Sequence, residues 1–163
     1  MDHVFRPPAA RWTPLARGYL RLKLTLIALV WPALMAVVVS GLAFLFPGTP
    51  WWWAALAALL LVWAWRLLRA PRVFRAWGYA ETDSDILLTS GLLYRRLTCV
   101  PYGRMQLVNV TAGPLERAFG VASVQLVTSS TSGTILIPGL AADEAARLRD
   151  RLIERGELLQ AGI

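Results

Sequence analysis

Few residue types that could carry catalysis occur in this 163-residue chain. It holds a single histidine, His3, and a single cysteine, Cys99. A nucleophile–histidine pair would have to recruit His3 from an N-terminal tail, so serine- or cysteine-based catalysis is not predicted. Cys99 lies in an apolar run and is interpreted as a buried strand residue rather than a nucleophile. A single cysteine also excludes an internal disulfide and a cysteine-based metal site.

Two further groups have spacings that a ligand site could use. Asp83 and Asp85 are two residues apart, but within the run TDSD they are interpreted as turn residues that satisfy nearby backbone groups. Ser129, Ser130 and Ser132 form a polar hairpin tip without a glycine-rich phosphate loop before a helix. The sequence therefore predicts neither an enzyme nor a cofactor or metal site.

Two apolar segments dominate the first half of the chain, whose mean hydropathy over all residues is +0.50. Residues 24–46 carry no charge, and residues 51–68 carry only Arg66. Because a helix needs about 20 apolar residues to cross a bilayer core, both are predicted to span a membrane as a hairpin, with two buried core helices as the alternative. Tryptophans cluster at both ends of the second segment, where indole rings favour the bilayer interface. These predicted belt residues are Trp51, Trp52, Trp53, Trp63 and Trp65.

The positive charge of the chain lies beside these segments. Residues 1–76 hold nine basic residues and one acid, which gives +8, whereas residues 77–163 hold eight arginines and nine acids, which gives −1. The positive-inside rule therefore predicts that both termini are cytoplasmic. The same side chains are candidate contacts to anionic lipids, with topology signalling alone as the alternative. These juxtamembrane candidates are Arg17, Arg21, Lys23, Arg66, Arg69, Arg72 and Arg75.

Residues 69–163 are predicted to form a cytoplasmic β-domain, following a basic N-terminal segment (1–23) and the hairpin (24–68). Alternating patterns predict six or seven short strands, the first beginning at Val73, and hence a sandwich or open barrel. A hairpin turn is predicted at Ser90–Gly91, and a single helical turn at 114–119 is closed by Gly120. Glu116 is placed on the solvent side of that turn. The near-neutral charge of this domain argues against nucleic-acid binding.

The chain is predicted to end in one amphipathic helix. Ala145, Leu148 and Leu152 recur with i, i+3, i+7 spacing and form an apolar stripe, with Ala141 and Ile153 beside it. Gly156 is the predicted helix stop.

The run from Arg75 to Ile153 resembles the bacterial pleckstrin-homology (PH) domain membrane proteins of the YdbS-like group. The resemblance rests on the hairpin of residues 86–94 around Gly91, on the runs PYGRMQLVNV and GPLERAFGVASVQLVTSS, and on IPGL before the last helix. A two-span hairpin before the domain is also typical of the group. The resemblance implies two near-orthogonal antiparallel sheets with one end closed by the C-terminal helix, in a protein of the bacterial inner membrane.

The resemblance also implies a partner, namely another PH-like membrane protein. Membrane lipids are predicted partners from the basic flanks, and an exposed edge strand of a half-open barrel predicts self-association as the alternative to the companion protein. The loop after the first strand of the domain, where PH domains bind inositol lipids, is acidic here, with Glu81, Asp83 and Asp85. Inositol-lipid binding at that loop is therefore not expected. A basic surface patch could instead form from three arginines, although solvated strand-edge charge is the favoured interpretation. These are Arg95, Arg96 and Arg104.

The predicted function is that of a non-enzymatic, membrane-anchored interaction or scaffold module within a membrane-associated assembly. Two alternatives stay open: a membrane-surface or lipid-sensing factor linked to envelope stress, and an accessory subunit of a transport or export complex. A transporter acting alone is disfavoured, because the spans hold no carboxylate, histidine or lysine that could form an ion path.

Overall fold

The computed structural model describes residues 11–46, 48, 51–128 and 133–160, without the side chains of residues 159 and 160. His3, Ser129, Ser130 and Ser132 lie outside the described residues, as does most of the predicted hairpin loop.

Two long helices form the helical hairpin. Helix α1 covers Arg17–Leu45 and helix α2 covers Trp51–Ala76. At about 1.5 Å per residue they are roughly 43 and 39 Å long, which exceeds a bilayer core of about 30 Å. Within their most apolar 18 residues, 6% and 0% are buried. Core helices of a soluble protein would be covered, so the alternative of two buried helices is wrong.

The remaining residues form seven strands in two antiparallel sheets, with two further helices. The first sheet has the order β1-β2-β3-β4 and the second β5-β6-β7. The strands of the first sheet are β1 (Trp12–Thr13), β2 (Gly78–Glu81), β3 (Asp85–Ser90) and β4 (Arg96–Pro101). The second sheet contains β5 (Met105–Thr111), β6 (Val121–Thr128) and β7 (Thr134–Ala141). The helices are α3 (Pro114–Ala118) and α4 (Ala142–Gln160). The two sheets and the final helix confirm the predicted architecture.

One face of each sheet packs into a shared core, which α4 closes at one end. Ala145, Leu148 and Leu152 are fully buried in this core, as their spacing predicted. Helix α4 packs on the 3₁₀ turn Tyr102–Arg104 between β4 and β5, and on the strands of the second sheet. We call β1 and residues 78–160 together the β-domain.

Two predictions about α4 are wrong. The helix does not stop at Gly156 but continues to Gln160. Gly156 is buried, and a Cβ there would lie 3.8 Å from the Tyr102 carbonyl oxygen, which is an ordinary van der Waals contact, so this glycine neither strains nor ends the helix. Ala141 and Ile153 are exposed rather than packed beside the apolar stripe.

The predicted first strand from Val73 is also wrong. Residues 73–76 continue helix α2, and the strand begins only at Gly78. The pattern of such a short run fits either a strand or a helix, and here the helix that begins in the preceding apolar segment continues through it. The β3–β4 hairpin is confirmed around Gly91 (φ +94°), although residues 92–94 belong to its turn and not to a strand.

Strand β1 makes the β-domain discontinuous in sequence. Trp12 pairs with Ala80 and Thr13 with Tyr79, so the chain leaves the first sheet, forms both long helices and re-enters as the neighbouring strand. The helical hairpin is thus inserted between two adjacent strands. The sequence analysis did not predict this strand, because two residues carry no periodicity of their own.

The start of α1 also contacts the second sheet. The Ala16 backbone N–H donates to the Gly139 carbonyl oxygen of β7 at 2.9 Å. Gly139 has φ +67°, and a Cβ there would collide with the ring of Tyr19. Gly18 is equally confined, since a Cβ would lie 2.5 Å from the Phe119 carbonyl oxygen. The first turn of α1 therefore lies directly on the backbone of β7 and of the turn between α3 and β6.

The surroundings of these two glycines predict opposite effects of alanine substitution on the free energy of unfolding: a large decrease at Gly139 and a small increase at Gly156. We expect Gly139→Ala to lower the free energy of unfolding by more than about 1 kcal/mol, because a left-handed residue gains a Cβ and meets Tyr19. Gly156→Ala should raise it by about 0.5–1 kcal/mol, because alanine favours a helix interior and has room there. Urea unfolding of the full chain in detergent micelles measures both, and equal effects would contradict the described contact.

Candidate functional site

The two helices and the β3–β4 turn meet at one end of the first sheet. Gly78 pairs with Thr89, so the end of β3 lies beside the start of β2, where α2 enters the sheet. Strand β1 runs antiparallel to β2 and leads to α1 from the same end. We call this end of the β-domain the junction end. The turn between β2 and β3 lies at the opposite end.

The β3–β4 turn presents an apolar and basic tip at the junction end. Leu93 and Tyr94 are 74% and 93% exposed, and Arg95 and Arg96 beside them are also exposed. Arg104 follows the far end of β4, about 17 Å from Arg96 at roughly 3.3 Å per residue. The structure therefore places Arg95 and Arg96 together and does not bring Arg104 to them.

A cavity of about 400 Å³ lies between α1 and α2 where they approach the β-domain. Three of the juxtamembrane candidates line it: Lys23 from α1, and Arg66 and Arg69 from α2. The rest of its wall is apolar or aromatic. These residues are Tyr19, Leu20, Ile27, Trp65, Ala70, Val73, Phe74 and Trp77. We call this space the junction cavity.

Each of the three cations lies over an aromatic ring. Arg66 is 4.7 Å from the Trp31 ring centroid, Arg69 is 4.9 Å from that of Trp65, and Lys23 is 5.3 Å from that of Tyr19. Neither long helix contains an acidic residue. Within the described part of the chain, no ion pair joins these three cations to a carboxylate. The cavity is therefore a positively charged site with aromatic walls.

The other four juxtamembrane candidates lie outside this cavity. They are exposed on the same two helices and do not line it. They are Arg17, Arg21, Arg72 and Arg75. The sequence alone does not separate these four cations from the three in the cavity, because the second apolar segment ends at residue 68. Extending the helix to Ala76 places Trp65, Arg69 and Val73 on one face at i, i+4 spacing, and Trp77 follows directly after it.

The predicted belt tryptophans lie at the start of α2 and near its middle, because α2 continues beyond the predicted span 51–68 to Ala76. Trp51, Trp53 and Trp65 are exposed, and the rings of Trp52 and Trp53 stack with centroids 4.0 Å apart. Trp63 differs, because its Nε1 donates to the Ile27 carbonyl oxygen of α1 at 3.2 Å. It therefore links the two helices near the junction cavity.

The end of the β-domain opposite the junction holds a polar cluster around Arg151. Its guanidinium contacts Glu81 Oε1 at 2.8 Å and Glu144 Oε1 at 2.9 Å, and Tyr79 donates to Glu144 Oε1 at 3.2 Å. The hydrogen bonds to Glu81 and then Glu144 raise the pKa of Arg151. Burial and the Glu144 carboxylate raise the pKa of Tyr79 to about 12. This cluster fastens α4 to β2, and Tyr79 stays protonated at neutral pH.

Arg155 completes the attachment of α4 beside this cluster. It donates to the Thr82 carbonyl oxygen at 2.6 Å and to the Tyr102 hydroxyl at 3.0 Å. The three acids predicted to lie in one loop are distributed over the end of β2, the turn and the start of β3, and Glu81 at the end of β2 is paired with Arg151. Asp83 and Asp85 stay near a turn, where Asp85 accepts from Ser84 Oγ at 2.8 Å. No group of three metal-ligating side chains occurs among the described residues.

Two smaller predictions about reactive residues are wrong. Cys99 is exposed on β4 rather than buried. Partial desolvation on the sheet and the nearby Asp85 carboxylate nevertheless raise the pKa of its thiol. Glu116 does not face solvent, because its carboxylate accepts from the Gly113 backbone N–H and from Ser123 Oγ, both at 2.9 Å. Glu116 is therefore a structural cap of α3.

In the described part of the chain, the outer face of the second sheet is uncharged except at one end, where Ser123, paired with Thr111, donates to the Glu116 carboxylate. The register of β5, β6 and β7 places six further side chains on this face, opposite the core residues Val108, Leu126 and Ile137. Two of them, Leu107 and Leu136, are half exposed. The six are Leu107, Asn109, Gln125, Val127, Thr134 and Leu136. We call this surface the uncharged face.

These features define a class of protein: a helical hairpin with the length and exposure of membrane spans, inserted between strands of a two-sheet domain closed by a helix. Comparison with known sequences identifies the family to which the chain belongs. The profile of the family described as "Bacterial PH domain" matches residues 17–156, and the chain belongs to this family.

A curated relative supports the same assignment. The chain is 30% identical over 121 residues to the "UPF0699 transmembrane protein YdbS" of Bacillus subtilis (strain 168), which covers 73% of this chain and 75% of the relative. No solved structure matches the chain. The protein is thus a membrane protein with a PH-like domain, and neither the family nor the relative is an enzyme by description. Strand β1 lies outside the matched residues.

The polar cluster predicts unequal effects for two arginines of α4. We expect Arg151→Gln to lower the free energy of unfolding by about 1–2 kcal/mol, because it leaves the Glu81 and Glu144 carboxylates without a shared partner. Arg147→Gln is the matched control, since Arg147 is exposed and 3.9 Å from Glu144. Its effect should stay within about 0.5 kcal/mol. Chemical unfolding in detergent measures both, and a neutral Arg151→Gln would contradict the structural role.

Proposed function

We propose that the protein is a non-enzymatic scaffold, which holds its PH-like domain at the inner face of the bacterial cytoplasmic membrane and binds another PH-like membrane protein or a second copy of itself. The observation that carries this proposal is the uncharged face of the second sheet. Surfaces of monomeric domains usually intersperse charges, whereas the centres of protein interfaces are depleted of them. Leu107 and Leu136 supply exposed apolar area on this face.

The attachment of the domain supports the same proposal. The hairpin is joined to the domain through neighbouring strands, and α1 also contacts β7 through Ala16 and Gly139. A domain held in this way presents the same face toward its surroundings, and this lowers the entropy lost when a membrane-bound partner docks. The described residues contain no arrangement of side chains that suggests catalysis.

The proposed orientation predicts where the native thiol can be labelled. Cys99 is exposed on β4, and under the positive-inside rule the +8 charge of residues 1–76 supports a cytoplasmic β-domain. A membrane-impermeant maleimide applied at pH 8 should label Cys99 in inverted membrane vesicles and leave it unlabelled in intact spheroplasts. The control is Thr49→Cys with Cys99→Ala, which should show the reverse. Labelling of Cys99 from outside would overturn the orientation.

The uncharged face predicts a localised loss of partner binding. We expect the chain, purified from membranes after cross-linking, to retain either a PH-like membrane protein or a second copy, identified by mass spectrometry and light scattering. Leu107→Glu with Leu136→Glu should reduce this retention at least tenfold, because it places charges at the centre of the contact.

Leu158→Glu is the matched control, because Leu158 is also about half exposed but lies on α4. It should leave retention unchanged. Recovery of a monomer with lipid alone would contradict the scaffold proposal. An equal loss in both variants would exclude the uncharged face as the contact surface.

A second candidate function is sensing of the membrane surface, and the junction cavity is the observation that favours it. Its three cations lie at the domain-side ends of the predicted spans, where a bilayer presents its phosphates.

A further inference from the structure

We propose that the junction cavity binds the phosphate group of an anionic glycerophospholipid taken from the surrounding bilayer. The proposal concerns one site with defined walls, and it does not depend on the scaffold function or on any protein partner.

Charge complementarity is the first argument. Lys23, Arg66 and Arg69 converge on one cavity, and the two long helices provide no carboxylate to neutralise them. Like charges that line one cavity repel one another, and a bound anion would offset this repulsion. Arginine suits this role, because its planar fork makes two parallel hydrogen bonds to a phosphate.

The position of the cavity identifies a lipid as the source of the anion. Lys23 directly precedes the apolar segment that begins at residue 24, and Arg69 directly follows the one that ends at residue 68. The cations therefore lie where hydrocarbon gives way to headgroups. Ile27 and Trp65 line the cavity on the bilayer side of Lys23 and Arg69 and are placed to contact the first acyl methylenes.

The size of the cavity limits how much of a lipid it holds. A volume of about 400 Å³ is at the small end of the range for small-molecule sites, about 300–1,000 Å³. The phosphate, the glycerol and the first methylenes would enter, while the remaining chains stay in the bilayer. Cation–π contacts to Trp31, Trp65 and Tyr19 hold the three cations in place before a lipid binds.

The site contacts both connections between hairpin and domain. Tyr19 lines the cavity and also packs against Gly139 of β7. Trp77 lines it and joins α2 to β2, while its side chain packs against the domain core. A bound lipid would therefore touch the residues that fix the orientation of the β-domain. This gives the second candidate function a specific site.

The test is native mass spectrometry of the full chain released from nanodiscs that contain equal amounts of phosphatidylglycerol and phosphatidylcholine. We expect one phosphatidylglycerol to be retained per chain, in at least tenfold preference to phosphatidylcholine. Arg66→Gln with Arg69→Gln should reduce this retention at least tenfold. Arg66→Lys with Arg69→Lys, which keeps the charge but removes the fork, should give an intermediate value.

The matched control is Arg17→Gln with Arg72→Gln, which removes the same number of charges outside the cavity, one from α1 and one from α2. It should stay within twofold of the native chain. Equal losses in the two glutamine variants would overturn the proposal, because they would show diffuse attraction between basic helices and lipid. Equal retention of the two lipids by the native chain would overturn it as well.

Thermal unfolding distinguishes a loss of lipid binding from a loss of structural stability in these variants. Phosphatidylglycerol should raise the unfolding temperature of the native chain and of the Arg17/Arg72 control above that in pure phosphatidylcholine. The Arg66/Arg69 glutamine variant should match them in pure phosphatidylcholine and lack the increase. A lower unfolding temperature in pure phosphatidylcholine, together with an intact increase, would assign these arginines to helix packing and refute the lipid site.

Discussion

The helical hairpin begins and ends on neighbouring strands of one sheet, and the arrangement of the molecule depends on this constraint. Because β1 and β2 are paired, α1 and α2 must leave the β-domain side by side at the same end. The hydrogen bond from Ala16 to Gly139 adds a contact to the second sheet. The constraint creates the junction cavity, since two helices held together at their base leave a space between them where they reach the domain.

Charge is divided between the two ends of the β-domain. At the junction end, the cations of the two long helices lie close to the predicted headgroup region, and Arg95 and Arg96 lie at the same end of the domain. At the opposite end, Glu81 and Glu144 share Arg151 as an ion-pair partner, which offsets part of the negative charge that the sequence places after the start of β2. In this PH-like protein the basic side chains lie near the membrane anchor, whereas the turn between β2 and β3 is acidic. A lipid contact of this protein is therefore expected at the hairpin.

Local patterns made much of this predictable, and non-local pairing explains the rest. The uncharged run 24–46 and the spacing of Leu148 and Leu152 specified their helices without any tertiary information. Strand β1 could not be predicted, because its two residues become a strand only through pairing with β2. The junction cavity was not predicted: its three cations and Trp65 were named separately, and their convergence with Val73, Phe74 and Trp77 required α2 to extend through residues 73–76.

The central claim, that the inserted hairpin fixes the orientation of the PH-like domain to the membrane, is tested most directly by a distance distribution between the two. Spin labels on the native Cys99 and on Gly41→Cys suit this measurement, since Cys99 is exposed and a Cβ at Gly41 has no neighbour within 4 Å. Double electron–electron resonance in nanodiscs should give a single narrow distribution. A broad or multimodal distribution would show a domain that moves freely on its anchor and would contradict the claim.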